Sequence, residues 1–143
     1  MEIILAENHG FCYGVKRAVE MANEAANSDG KSYTLGPIIH NPQVVGRLED
    51  KGVSPVQEVS DIEEGTMIIR SHGVGPAIYE EAEQKGLNIV DATCPHVKKA
   101  QQDAKSVIED GMTLVILGEK NHPEVKSINL WANNKGIIIE DEE

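Results

Sequence analysis

Residues that bind metals and anions recur at one kind of position along this chain. Two cysteines, Cys12 and Cys94, and three histidines, His40, His72 and His122, each follow a short aliphatic run. Each also lies at or near the start of the next predicted helix. In an open parallel sheet these positions share one edge, and ligands bind at that edge. We therefore predict that the five side chains converge on one site.

The two cysteines have the surroundings expected of thiolate ligands. Cys12 lies between Gly10 and Gly14, and glycine lets the backbone approach a bulky ligand closely. A helix start lowers a thiol pKa and favours the thiolate that binds metal, and Cys94 repeats this arrangement before Pro95. The alternatives are a small buried hydrophobe and an ordinary helix-capping turn. Two cysteines do not close a metal site: zinc needs two more ligands, such as histidines, and an iron–sulfur cluster usually needs about four cysteines.

The histidines have the surroundings expected of an anion site. His72 lies between Ser71 and Gly73 before a predicted helix, where side-chain donors, backbone N–H groups and the helix dipole bind phosphate. His40, followed by Asn41 and a proline, is similar. The alternative for each histidine is a hydrogen-bonded structural residue.

Glu124 is the candidate for proton transfer. It follows His122 and Pro123, on the first turn of a predicted helix whose dipole stabilises a carboxylate. If Glu124 faces a closed cavity, desolvation raises its pKa towards that of a proton donor. The alternative is a plain first-turn glutamate.

Short aliphatic runs alternate with segments of helical periodicity along the whole chain. This order predicts an α/β fold with a mostly parallel sheet covered on both faces. Four of the six prolines fall at predicted first helical positions, where their missing N–H costs nothing. The predicted strands are 2–6, 32–35, 53–56, 66–70, 87–91, 113–117 and 136–140, and the predicted helices are 15–27, 42–51, 76–85, 95–110 and 123–132.

Composition restricts the classes of function. The 143 residues are 40% hydrophobic but only 3% aromatic, which predicts an aliphatic core. A formal net charge of -11 argues against a general nucleic-acid or anionic-membrane binder. No run is long enough to span a bilayer and no signal peptide is visible, so we expect a cytoplasmic protein with reduced thiols.

The chain divides near residues 92–96. We predict a first αβα unit at 1–95 and a partial second unit at 96–143, because the final helices and strands begin a similar layer with only two strands. Two strands alone leave an open edge. The alternative is an acidic tail on a finished domain.

The motifs together resemble the LytB/IspH-type family of 4-hydroxy-3-methylbut-2-enyl diphosphate reductases, which act last in the non-mevalonate isoprenoid pathway. The resemblance implies a trefoil of three αβ units and a [4Fe-4S] cluster held by three cysteines. It implies removal of the substrate hydroxyl as water, with electrons from ferredoxin or flavodoxin, to give isopentenyl and dimethylallyl diphosphate. It is carried by the segments 10–15, 39–41, 71–74, 91–95 and 118–124.

The same resemblance assigns roles to individual residues. By motif, Cys12 and Cys94 are cluster ligands. The diphosphate is held by His40, His72 and His122, and Glu124 delivers protons. Family chains run to about twice this length, and the third cluster cysteine lies in the portion that this chain lacks. We expect a fragment or truncated product of the reductase. The alternatives are a non-catalytic diphosphate-binding module and a Cys₂His₂ zinc site.

Overall fold

Helices and short strands alternate along the computed structural model, which describes residues 1–7, 9–28 and 30–141. The helices are α1 (Tyr13–Ala26), α2 (Pro42–Glu49), α3 (Pro76–Gln84), α4 (Pro95–Glu109) and α5 (Pro123–Trp131). The strands are β1 (Ser32–Leu35), β2 (Val53–Val56), β3 (Thr66–Ile69), β4 (Asn88–Asp91), β5 (Val115–Leu117) and β6 (Ile137–Ile139), and a 3₁₀ turn occupies Val59–Asp61.

The strands form two parallel sheets. The larger sheet has the order β2-β1-β3-β4, and the smaller one pairs β5 with β6. In the larger sheet Leu35 lies beside Ile69, and Ile69 lies beside Asp91. The carboxyl ends of β1, β3 and β4 are therefore level, and the loops that follow them meet at one edge. The predicted parallel-sheet α/β class is confirmed.

Both faces of the larger sheet are buried by aliphatic side chains, as the composition predicted. Ile68 packs with α1 residues such as Ala18 and Ala22 on one face. Its neighbours along β3, Met67 and Ile69, pack on the other face. Successive strand residues point to opposite faces, so one short strand contributes to both core clusters.

Proline fixes where four of the helices begin. Helices α2, α3, α4 and α5 each start at a proline, as predicted. The proline ring is already set to the helical φ angle and lacks the N–H that would have no partner there. Proline therefore sets the residue at which each of these helices begins.

The predicted strand at 2–6 is wrong. Residues 1–6 carry no strand, and Ile3, Ile4 and Leu5 are 74%, 82% and 76% exposed. An aliphatic run becomes a strand only when a neighbouring strand satisfies its backbone groups, and none lies beside it among the described residues. Cys12 therefore precedes α1 without a strand before it.

The region after β4 forms the smaller sheet and its helices. Helix α5 packs on α4, while Val115, Leu117 and Ile137 remain exposed. The division into units at 1–95 and 96–143 stays a prediction. Among the described residues, no helix combines the length and apolar composition needed to cross a bilayer.

Ile68→Ala tests the position of the core. Ile68 is fully buried, so its truncation leaves a cavity and we expect a loss of about 3 kcal/mol in the free energy of unfolding. The matched control, Ile4→Ala, changes an exposed side chain, and we expect a change within about 0.5 kcal/mol. Urea unfolding followed by circular dichroism measures both variants. An equal loss in both would contradict the burial described.

Candidate functional site

Three histidine rings lie together at the carboxyl edge of the larger sheet. The ring centroids of His40 and His72 are 4.5 Å apart. His122 lies 6.1 Å from His40 and 5.8 Å from His72. The rings come from the loops after β1, β3 and β5, so residues 82 positions apart in sequence meet, as predicted. Three imidazoles at this spacing present several N–H donors to one small region.

Ser71 joins the loops that carry these histidines. Its backbone N–H and its hydroxyl both donate to the Ile38 carbonyl, at 3.3 and 3.2 Å. Its own carbonyl accepts the Cys94 N–H at 2.9 Å. The loops after β1, β3 and β4 are thereby held at fixed positions. Because the hydroxyl is buried and already used, the expectation that Ser71 donates to a bound anion is not supported.

His122 is the N-cap of α5, and this role fixes the state of its ring. Its Nδ1 accepts the Glu124 backbone N–H at 3.3 Å. A ring nitrogen that accepts carries no proton, so in the neutral imidazole the proton is on Nε2, which then acts as a donor. Glu124 lies in the first turn of α5, partly buried, directly beside this capping histidine.

Two buried side chains that the sequence analysis missed connect His72 to α4 and α5. The Ser127 hydroxyl donates to the His72 carbonyl at 2.8 Å and lies 2.9 Å from the Glu124 carbonyl. Gln101, which is 1% exposed, donates its Nε2 to Ser127 at 3.2 Å. The available signal was Gln101 itself, a polar residue within the apolar stripe of the fourth predicted helix.

Gly73 is the residue that makes this connection possible. Its φ of +72° is in the left-handed region. A Cβ at Gly73 would lie 2.3 Å from Gln101 Nε2 and 3.0 Å from the Thr93 side chain. Any larger residue would therefore push Gln101 away from Ser127 and disturb the carbonyl of the preceding His72.

Burial makes His72 hard to protonate. Desolvation, followed by the nearby His40, Arg70 and His122, lowers its pKa from 6.5 to about 4. Its Nδ1 is also buried and has no hydrogen-bond partner among the described residues. The ring is therefore neutral at pH 7, and an unpaired polar atom is available to a ligand.

The two cysteines each cap a helix but neither makes a side-chain capping bond. Cys12 is exposed at the start of α1, and Cys94 is partly buried at the start of α4. A Cβ at Gly14 would lie 2.5 Å from Cys94 Sγ. The first turn of α1, which begins beside Cys12, therefore contacts the second thiol directly, and glycine is the residue that leaves room for it.

A complete metal site is not formed by the described residues. Among them, no group of three or more His, Cys, Asp and Glu side chains is placed to hold a metal ion. The alternative of a Cys₂His₂ zinc site therefore has no support among the described residues. The two thiols fit two positions of an iron–sulfur cluster in donor type and in their places at helix starts, and the 143 residues contain no third cysteine.

Comparison with known proteins identifies the family. A family profile described as "LytB protein" matches residues 3–143. The chain belongs to the LytB family. The 4-hydroxy-3-methylbut-2-enyl diphosphate reductase of Geobacter metallireducens is 52% identical over 143 residues, which are all of this chain and 51% of that protein. The reductase of the same name from Geobacter sulfurreducens is 54% identical over 97% of this chain and 49% of its own length.

Solved structures give the same relationship. A structure of "(E)-4-Hydroxy-3-methyl-but-2-enyl Diphosphate Reductase, the Terminal Enzyme of the Non-Mevalonate Pathway" has a TM-score of 0.84 and 49% identity, over 97% of this chain and 51% of that one. The E-1-hydroxy-2-methyl-but-2-enyl-4-diphosphate reductase from Plasmodium falciparum has a TM-score of 0.90 and 31% identity, over 94% and 43%. The chain thus spans about half the length of the LytB relatives that it matches.

His72 should make the fold less stable in acid. Because its pKa is about 4 when folded and 6.5 in the unfolded chain, the unfolded state binds more protons between these values. The contribution of neutral His72 to stability is complete above pH 6.5 and falls as the pH drops towards 4. We expect His72→Asn to flatten the loss of unfolding free energy between pH 7.5 and 5, measured with urea. A histidine NMR titration that places His72 near 6.5 would contradict the assignment.

Proposed function

We propose that this chain forms the diphosphate-binding and cluster-binding half of a 4-hydroxy-3-methylbut-2-enyl diphosphate reductase. The observation that carries the proposal is the cluster of His40, His72 and His122, with centroids 4.5 to 6.1 Å apart, in a chain of the LytB family. The substrate is a small allylic diphosphate, and the full reaction needs the residues that longer relatives have beyond this half.

The histidines act as donors to the diphosphate. His122 offers its Nε2–H, because its Nδ1 is held by the Glu124 N–H. The N-terminus of α5 adds the helix dipole on the same side. A bound diphosphate favours the imidazolium form of His72, so binding raises its pKa from about 4 and takes up a proton.

Glu124 delivers protons to the reaction, in which two electrons and two protons remove the hydroxyl as water. Its carboxyl group starts in the first turn of α5, next to the histidine that caps the helix. A carboxyl group beside the substrate can deliver a proton as the hydroxyl leaves as water. We assign Glu124 this role and not a role in binding, because its ionised form repels a diphosphate.

Cys12 and Cys94 are the proposed ligands of a [4Fe-4S] cluster, with a third thiolate from outside these 143 residues. A bound cluster would supply the path by which electrons from the external donor reach the substrate for the reductive removal of its hydroxyl. The chain's own contribution is the spacing of the two thiols, which depends on the contact between Gly14 and Cys94. Ferredoxin or flavodoxin as electron donor and a cytoplasmic location belong to this same proposal.

A second candidate function is a non-catalytic diphosphate-binding αβ module. It is favoured by the sequence, which has two cysteines in total, and by the lack of any three-ligand metal group among the described residues. The two candidates share the histidine site and differ in whether the thiols hold iron.

Calorimetry with inorganic diphosphate tests the histidine site in the chain as it exists. We expect His72→Ala to weaken binding at least about tenfold, because charge-assisted hydrogen bonds are lost. Glu124→Gln should bind as tightly as the parent chain or more tightly. The matched control His96→Ala changes an exposed histidine on α4 and should leave affinity unchanged. Equal affinity in His72→Ala and His96→Ala would refute the site.

Anaerobic reconstitution with iron and sulfide separates the two candidates. We expect visible iron–sulfur absorbance that is lost in both Cys12→Ser and Cys94→Ser, while circular dichroism stays unchanged because the substitution is nearly isosteric. Gly14→Ala should lower the iron bound per chain, since its Cβ would collide with Cys94 Sγ. Iron binding at the parent level in Cys94→Ser would leave the binding-module function as the better account.

A further inference from the structure

A cleft lies between the larger sheet and α5, next to the histidine cluster. None of the three clustered histidines lines this cleft. Its walls come from the end of β1, the loop after β3 and the inner side of α5, and its volume is about 290 Å³. This volume is at the lower end of the range for ligand pockets. The lining includes Leu35, Gly36, Arg70, Val74, Lys126 and Leu130.

The cleft carries two cations that lack anionic partners. Neither Arg70 nor Lys126 makes a side-chain hydrogen bond or ion pair with any described residue. No acidic side chain lines the cleft within the described part of the chain. In a chain with a net charge of -11, two cations facing one cavity without a carboxylate form a local site for an anion.

Arg70 is held in a position where its charge is poorly solvated. Its Nε is buried without a hydrogen-bond partner, and desolvation lowers the pKa of its guanidinium. Gly36, with a φ of +72°, leaves the space that the guanidinium occupies, since a Cβ there would lie 2.9 Å from Arg70 Nη1. Burying an unpaired cation is costly, and a bound oxyanion removes that cost.

The N-terminus of α3 faces the same cleft. Gly75, its N-cap, lines the cavity and supplies no side-chain capping bond. The helix extends for nine residues from Pro76, which has no N–H, and the Ile78 N–H donates to the Gly75 carbonyl at 3.2 Å, so α3 adds mainly its dipole to the two cations. Leu35, Val74, Ile78 and Leu130 form an apolar wall, and the polar side chains of Gln57 and Ser127 complete the lining.

We propose that this cleft binds a small phosphate monoester that carries a short aliphatic chain. Arg70, Lys126 and the N-terminus of α3 hold the phosphate group, and the apolar wall holds the aliphatic chain. The proposal assigns no phosphate contact to the three histidines. The two sites are neighbours, since Arg70 and Ser127 line the cleft and both also interact with His72.

Calorimetry with monobutyl phosphate at low salt tests the proposal. The titrations use a His40→Ala background, which removes one donor of the histidine site and leaves the cleft unchanged. We expect saturable binding, weakened at least about tenfold by Arg70→Gln and about two- to fivefold by Lys126→Gln. Lys105→Gln is the charge-matched control on α4, outside the cleft, and should leave affinity unchanged.

Two further probes test the two halves of the ligand. Inorganic phosphate should bind more weakly than monobutyl phosphate, because it does not use the apolar wall. Pentanoate should also bind more weakly, because it carries one charge. The proposal is overturned by unchanged affinity in Arg70→Gln, or by equal affinity for monobutyl phosphate and either probe.

The variants also keep the two sites distinguishable. Lys126 is exposed, so Lys126→Gln preserves the fold and decides the question even if Arg70→Gln unfolds. Diphosphate binding that fails in the parent chain while monobutyl phosphate binds would reject the histidine site and retain the cleft. Monobutyl phosphate binding that responds to His72→Ala and not to Lys126→Gln would place the anion at the histidines and reject the cleft.

Discussion

The hydrogen bonds of Ser71 are the constraint on which the histidine site depends. One residue contacts the loop after β1 through its N–H and hydroxyl and the loop after β4 through its carbonyl. The level ends of β1, β3 and β4 bring these loops near one another. The backbone and hydroxyl hydrogen bonds of Ser71 then fix the distances between the loops. His40, His72 and Cys94 are each within two residues of one of these bonds, so their relative positions follow from a single packed serine.

Much of the arrangement of strands, loops and helices around the histidines can be predicted from the sequence, because several local signals occur together in each segment. Proline at the first helical position, an aliphatic run before it and a histidine or cysteine between them specify a strand, a loop and a helix without tertiary information. His40, His72 and His122 were therefore predictable as neighbours from the rule that parallel strands end at one edge. Their roles came from the family resemblance, since spacing alone left structural histidines as an alternative.

The sequence-based predictions failed where tertiary contacts decide whether a segment forms a strand or a side chain is buried. The run at 2–6 has strand composition, yet a strand needs a partner, and composition does not say whether one is present. Gln101 and Ser127 are polar residues on helices, where the default expectation is exposure. They are buried because Gly73 has no side chain and leaves room for the Gln101 amide. That amide donates to Ser127, whose hydroxyl donates to the His72 carbonyl. Such a connection across three elements has no signature in any one segment.

The neutral state of His72 has a consequence for the selectivity of the proposed diphosphate site. A site with permanent cations attracts every anion in the cell, including the abundant monovalent ones. Under the proposed function, part of the positive charge forms only when the diphosphate binds, and forming it costs free energy because the ring is buried. Chloride or a monocarboxylate would offset less of that cost than the proposed diphosphate, which carries more negative charge. The buried imidazole would thus favour ligands of high negative charge density over ligands of low charge density.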